Sequence, residues 1–192
     1  MQTYHVVLYL HILSLLVGFP AGVVATLCLF RLRAATTLEE AAPWGKLVGQ
    51  VEKAFPIAIV GLFATGAYMT SHLWNWSTPW IVTGIVGLAI LALQGPLVAG
   101  KRGHEVKKAL MANGPGPLGE RASRMTRDPA LWAADFANEG LVLAVVWNMT
   151  QKPGWAGAIA AIAIGYLAGV AASTRFTRAP ALEAEAISEP AA

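Results

Sequence analysis

Two histidines, a methionine and two acids are the side chains in this sequence best suited to chemistry. His11 stands in "YLHILSLLVGFPAG" (9–22), inside a run from Val6 to Phe30 without Lys, Arg, Asp or Glu. A run of that length crosses a bilayer as a helix. An imidazole there has two uses: it ligates haem iron or a metal, or it hydrogen-bonds to a neighbouring helix and packs.

His72 closes a second apolar run, with Met69 one turn deeper. Residues three and four apart share a helix face. One face of the first run reads Val7, His11, Ser14, Gly18, Ala21, Ala25, and one face of the second reads Ala58, Gly61, Thr65, Tyr68, His72. Both are small and weakly polar, so both are expected to point into a bundle, leaving the Leu- and Ile-rich faces for lipid. His11 and His72 would then face inward near the same membrane surface. Their depths differ by roughly 5–8 Å at the rise of an α-helix. Met69 matches His11 better in depth, and a thioether also ligates haem or copper. The ligand set to test is therefore His11 with His72 or Met69, against the plainer reading in which His11 packs and His72 caps. His5 is roughly 120° around the helix from His11 and does not share its face. His104 belongs to the opposite membrane surface.

The second constellation is "LWAADFANEGLVLAVVWNMT" (131–150). Asp135 and Glu139 are i, i+4 and share a face, with Asn138 beside them. Acids inside a span are costly and are functional-site candidates by default. Asp135 falls in the first turn, where a helix N-terminus suits an anion. Glu139 is deeper. It would pair with Lys53, Arg31 or Arg33, take part in proton transfer, or bind a cation. No Gly-rich phosphate loop, CxxC, HExxH or nucleophile elbow occurs, so soluble-enzyme chemistry has no foothold.

These residues must be positioned by membrane helices. Of 192 residues, 56% are hydrophobic and 13% charged, against about a quarter charged in soluble domains. The sequence predicts an all-α integral membrane bundle of five transmembrane helices, with spans at about 6–30, 54–73, 80–100, 131–150 and 155–174 in one domain, 1–178. The Ala/Glu/Pro-rich end, 179–192, reads as a disordered tail. The single Cys28 lies within the first span, so no intrachain disulfide forms. No basic residue precedes Arg31, so the first span reads as retained rather than as a cleaved signal.

The net charge of +3 is explained by topology rather than by nucleic acid. Arg31, Arg33, Lys46, Lys53, Lys101, Arg102, Lys107, Lys108, Arg121, Arg124, Arg127, Arg175 and Arg178 fall on one side of the predicted bundle and only Lys152 on the other. The positive-inside rule then puts the N-terminus outside and the C-terminus in the cytoplasm. Tyr4, Tyr9, Trp74, Trp76, Trp80, Trp147 and Trp155 form the expected outer aromatic belt, with Trp44 and Trp132 at the inner boundary. Gly18/Gly22 and Gly165/Gly169 are GxxxG pairs that allow close helix approach. Pro20 and Gly95–Pro96 are candidate kinks, and Gln94 is a polar residue inside the third span.

"VVLYLHILSLLVGFPAG" resembles the first helix of the copper-resistance-protein-D-like superfamily of small bacterial membrane proteins, in which Leu-His precedes a Gly by about one heptad; here Leu10-His11 leads to Gly18. "STPW" before the third span and "VVWNMTQKPGW" after the fourth resemble an uncharacterised family of predicted integral membrane proteins in that superfamily. The likeness runs loosely over residues 4–155. It implies a bacterial inner-membrane location. It also implies a role for His11 alone, as a haem b ligand, as in the membrane protoporphyrinogen oxidase, or in copper uptake. The Trp that often precedes the Gly is Val17 here.

Three expectations follow. The chain is a haem b- or metal-binding redox protein with His11 as ligand; or a transporter for copper, another cation or a small solute, with a path through His11, Thr65, Gln94 and Glu139; or a non-catalytic subunit of a membrane complex. The last two imply a homo-oligomer or a membrane-protein partner. A stand-alone enzyme is the less favoured reading.

Overall fold

In the computed structural model, residues 2–177 are described, and the tail predicted for 179–192 lies outside them. Every long apolar run is a helix, as a backbone in hydrocarbon requires. α1 is Gln2–Ala34, α3 Ala54–Leu73, α4 Pro79–Gln94, α7 Pro129–Gln151 and α8 Trp155–Thr177, separated by two shorter helices, α2 (Leu38–Val51) and α6 (Glu120–Thr126), and by α5 (Lys101–Ala112). Five helical stretches are long and apolar enough to cross a membrane.

α1 runs through Pro20 unbroken. α4 continues into α5 through a π-helical segment, Gly95–Gly100. Pro96 lacks the N–H that an α-helical ladder needs at this point, and the wider π turn carries the chain past it. Asn113–Gly119 ends α5; Gly114 and Gly116 there adopt φ of 70° and 100°, which only glycine takes without strain.

The segment 31–53, read from sequence as a connection, contains α2. Thr37 caps it by accepting from the Glu40 amide at 3.3 Å, while the Glu40 carboxylate reaches back to the Thr36 amide at 2.8 Å. A single antiparallel bridge, Thr37 to Pro117, ties this cap to the loop after α5. The basic end of the molecule is therefore a folded cap. Its core is Leu29, Leu32, Ala41, Val106, Ala109, Leu110, Ala122, Leu131 and Trp132. Trp132, expected as an interfacial anchor, is fully buried here. Its indole N–H donates to the Thr126 carbonyl at 3.1 Å, and Phe30, Phe136 and Phe176 surround its ring. Trp74, Trp76, Trp147 and Trp155 are exposed, as a belt requires.

Two close helix pairs build the membrane part. α7 and α8 meet backbone to backbone: a Cβ on Gly140 would strike the Gly165 carbonyl oxygen, and one on Gly169 would strike that of Phe136. The GxxxG of α8 is thus the contact itself. α1 and α3 meet through the two faces read from sequence. Gly18 lies against Ala58, Ser14 against Gly61, and His11 against Gly66. α4 packs on α7 through Gly84 against Met149 and Gly87 against Val145.

Candidate functional site

The α1–α3 seam places His11. Its Nδ1 lies 2.8 Å from the Thr65 hydroxyl oxygen, which lies 2.5 Å from the Gly61 carbonyl. The hydroxyl has one proton, and the short contact to Gly61 takes it. His11 Nδ1–H therefore donates to Thr65, and Nε2 is left with the lone pair.

His72 has partners of its own. His72 is exposed, its Nδ1 is 2.8 Å from the Tyr68 carbonyl one turn below, and its ring stacks on Tyr68 at 4.1 Å. Since His11 is level with Thr65, His72 lies seven residues, or about 10 Å, further along α3. Met69 is one turn beyond Thr65, about 6 Å. Among the described residues no group of three or more His, Cys, Asp or Glu is placed to hold a metal ion. Lys152, the one basic residue on the aromatic side of the bundle, lies over the rings of Trp74 and Trp80, at 4.6 and 5.7 Å from their centroids.

The acids are brought together with α1. Thr26 donates its hydroxyl proton to Asp135 Oδ2 at 2.7 Å. One turn along both helices, the Glu139 carboxylate lies over Gly22: a Cβ there would overlap Glu139 Oε1. Gly22 and Thr26 are i, i+4 on α1, and Asp135 and Glu139 are i, i+4 on α7, so the four form one layer between antiparallel helices. Glu139 is one residue from the midpoint of α7 (129–151). It also lines an open groove of about 670 Å³ between α7 and α8, with Phe136, Gly140 and Ala172.

Of the three basic residues offered as partners for Glu139, Arg31 and Arg33 lie over aromatic rings, and Lys53 forms no ion pair with it among the described residues. The Arg31 guanidinium lies over Trp44 and that of Arg33 over Trp132, each 5.6 Å from the ring centroid. Among the described residues, the ion pairs are Arg102–Asp128, Arg121–Glu105 and Arg124–Glu120. Neither intramembrane acid belongs to one.

Two separate groups of polar side chains tie α4, α7 and α8 together elsewhere. Gln94 donates from Nε2 to the Ala134 carbonyl at 3.2 Å and accepts from the Tyr166 hydroxyl at 2.9 Å. Asn148, fully buried, donates to Thr83 Oγ1 at 3.2 Å and to the Ala158 carbonyl at 3.0 Å. Thr26, Tyr166, Thr83 and Asn148 were not singled out from sequence. Each has the signature of a polar residue inside an apolar run, which polar spacing against a neighbouring helix would have flagged.

No known protein family, curated protein or solved structure matches this chain.

Proposed function

We propose that this multi-pass membrane protein takes up a proton or a small cation at the Asp135–Glu139 pair, as part of a permease-like transport cycle. One observation carries the reading: Glu139 lies at mid-helix against Gly22 with no basic side chain in an ion pair with it among the described residues. A carboxylate without a counter-charge in hydrocarbon costs several kcal/mol, so the counter-charge has to come from a proton or a cation. Gly22, without a side chain, is what admits the Glu139 carboxylate to the α1–α7 contact, and Thr26 brings a hydroxyl oxygen to the same layer while it fixes Asp135. The groove between α7 and α8 reaches Glu139 from the other side. Five spans form a small transporter, so the reading includes a homo-oligomer. The reading takes the membrane to be a bacterial inner membrane, with the N-terminus outside and the C-terminus in the cytoplasm, and the one-sided distribution of Lys and Arg supports that orientation by the positive-inside rule.

The test is flux into proteoliposomes under an imposed gradient of protons, sodium, potassium or copper(I). Flux by the wild type and its loss in Glu139→Gln, with the fold intact, supports the reading. Equal flux in Glu139→Gln removes it.

A second reading rests on His11. A ligating imidazole usually donates its other ring N–H to a fixed acceptor, and His11 Nδ1–H on Thr65 has that form. Nε2 would then be a single axial ligand to haem b, or a copper ligand, in a redox role. His72 or Met69, further along α3, is the opposing donor this reading takes from the sequence. An absorption spectrum of purified protein, oxidised and reduced, decides this: a b-type spectrum that His11→Ala abolishes favours it, and a colourless protein after expression with ample haem removes it. Service as a non-catalytic subunit would show as co-purification with a larger membrane complex and no flux by the isolated chain.

A further inference from the structure

The junction of α4 and α5 carries a feature that neither reading uses. An open concavity of about 500 Å³ is lined by Leu97, Val98, Lys101, Arg102, His104 and Glu105. Leu93 at the end of α4 and Leu97 in the π-helical segment, which itself lines the concavity, are 61% and 54% exposed, a lipid-facing track. Lys101, His104 and Lys108 follow one another at steps of three and four on α5 and share one side of it, and Leu97 lines the concavity with Lys101 and His104.

Depth fixes what this side meets. Trp80 belongs to the aromatic belt at the far end, packed edge-on against Trp74 at 5.1 Å. Lys101 is 21 residues later, about 31 Å along the helix, which equals the hydrocarbon thickness of about 30 Å. Leu93 and Leu97 therefore lie at acyl-chain depth, and Lys101 and His104 at headgroup depth.

Charge fixes its sign. Arg102 is paired with Asp128 at 3.0 Å, and Glu105 with Arg121 at 3.8 Å. Lys101, Lys107 and Lys108 are exposed and form no ion pair among the described residues. The uncompensated charge at the concavity is positive, directly below an apolar track.

We propose that this concavity binds the headgroup of an anionic glycerophospholipid, its phosphate at Lys101 with the exposed Lys108 about two turns further along α5 as a second cation, and its acyl chain along Leu93 and Leu97. Charge-assisted hydrogen bonds from ammonium groups to phosphate oxygens supply the preference over a zwitterionic lipid. The site is independent of the carboxylate layer.

Native mass spectrometry from mixed micelles of phosphatidylglycerol and phosphatidylcholine tests it. Wild type should retain phosphatidylglycerol several-fold over phosphatidylcholine. Lys101→Gln/Lys108→Gln should lose that preference, Lys101→Arg/Lys108→Arg should keep it, and Lys46→Gln/Lys53→Gln should keep it as a control for general basic charge. Excess inorganic phosphate should leave retention unchanged. Undiminished preference in Lys101→Gln/Lys108→Gln, an equal loss in the control pair, or displacement by free phosphate would each overturn the proposal.

Discussion

Thr26 on α1 donates its hydroxyl proton to Asp135 on α7 across 2.7 Å. This bond joins the pair formed by α1 and α3 to the pair formed by α7 and α8, at the level where the two acids lie. Thr26→Val keeps the shape and removes the donor. It should lower stability by about 1–3 kcal/mol, the cost of leaving a buried polar group unmet. Thr26→Ser should hold near the wild-type midpoint. Thermal unfolding in detergent checks this, and an unchanged midpoint in Thr26→Val would mean the bond is not made.

The α7–α8 seam leaves no room for side chains. A Cβ on Gly165 would fall 2.7 Å from that of Ala144 and strike the Gly140 carbonyl oxygen. Gly165→Leu should therefore separate the helices and destabilise by several kcal/mol. Gly49→Ala, where nothing lies within 4 Å, should stabilise α2 by about 0.5–1 kcal/mol. Paired melting curves test both. A Gly165→Leu protein as stable as wild type would contradict the close approach.

At the start of α2, Thr37→Ala should cost about 1 kcal/mol, the usual worth of an N-cap. The loss should show as faster amide exchange at Glu40 and Ala41, while exchange within α7 stays unchanged. Uniform acceleration along the chain would argue that α2 is not a separately capped element.

His11 should be the Nδ1–H tautomer, because Thr65 spends its proton on Gly61. Nitrogen chemical shifts of labelled histidine report this directly. Thr65→Val should erase the preference. Finding the Nε2–H form in the wild type would reverse the assignment and withdraw the free lone pair from the haem or copper reading.

Much of the membrane part was legible in the sequence, because apolar length and small-residue spacing are local. The run 54–73 is α3 to the residue, and the faces through His11, Ser14 and Gly18 and through Ala58, Gly61 and Thr65 do point inward, against each other, while Tyr68 and His72, expected on the same inward face, are exposed. The cap was less legible. α6 has only seven residues, too few for periodicity to show, whereas α2 is amphipathic and begins with the helix-start signal T-x-x-E at Thr37–Glu40, so it could have been read from the sequence. The partners of Glu139 were not legible at all. Periodicity says which residues share a face, not which neighbouring helix that face meets. Arg31 and Arg33 turned to the rings of Trp44 and Trp132, and the acid face met Gly22 and Thr26. For the same reason the depths of His11 and His72 came out further apart than helix ends alone suggested.

The most direct test of the central claim is an infrared difference spectrum of the protein in lipid vesicles, recorded across a pH titration and across additions of sodium, potassium and copper(I). The account predicts a carboxyl band that converts between its protonated and ionised forms, or shifts on cation addition, and that disappears in Glu139→Gln while persisting in Glu120→Gln. A spectrum in which Glu139→Gln removes no titrating or cation-sensitive band would show that Glu139 takes up neither proton nor cation, and would contradict the account.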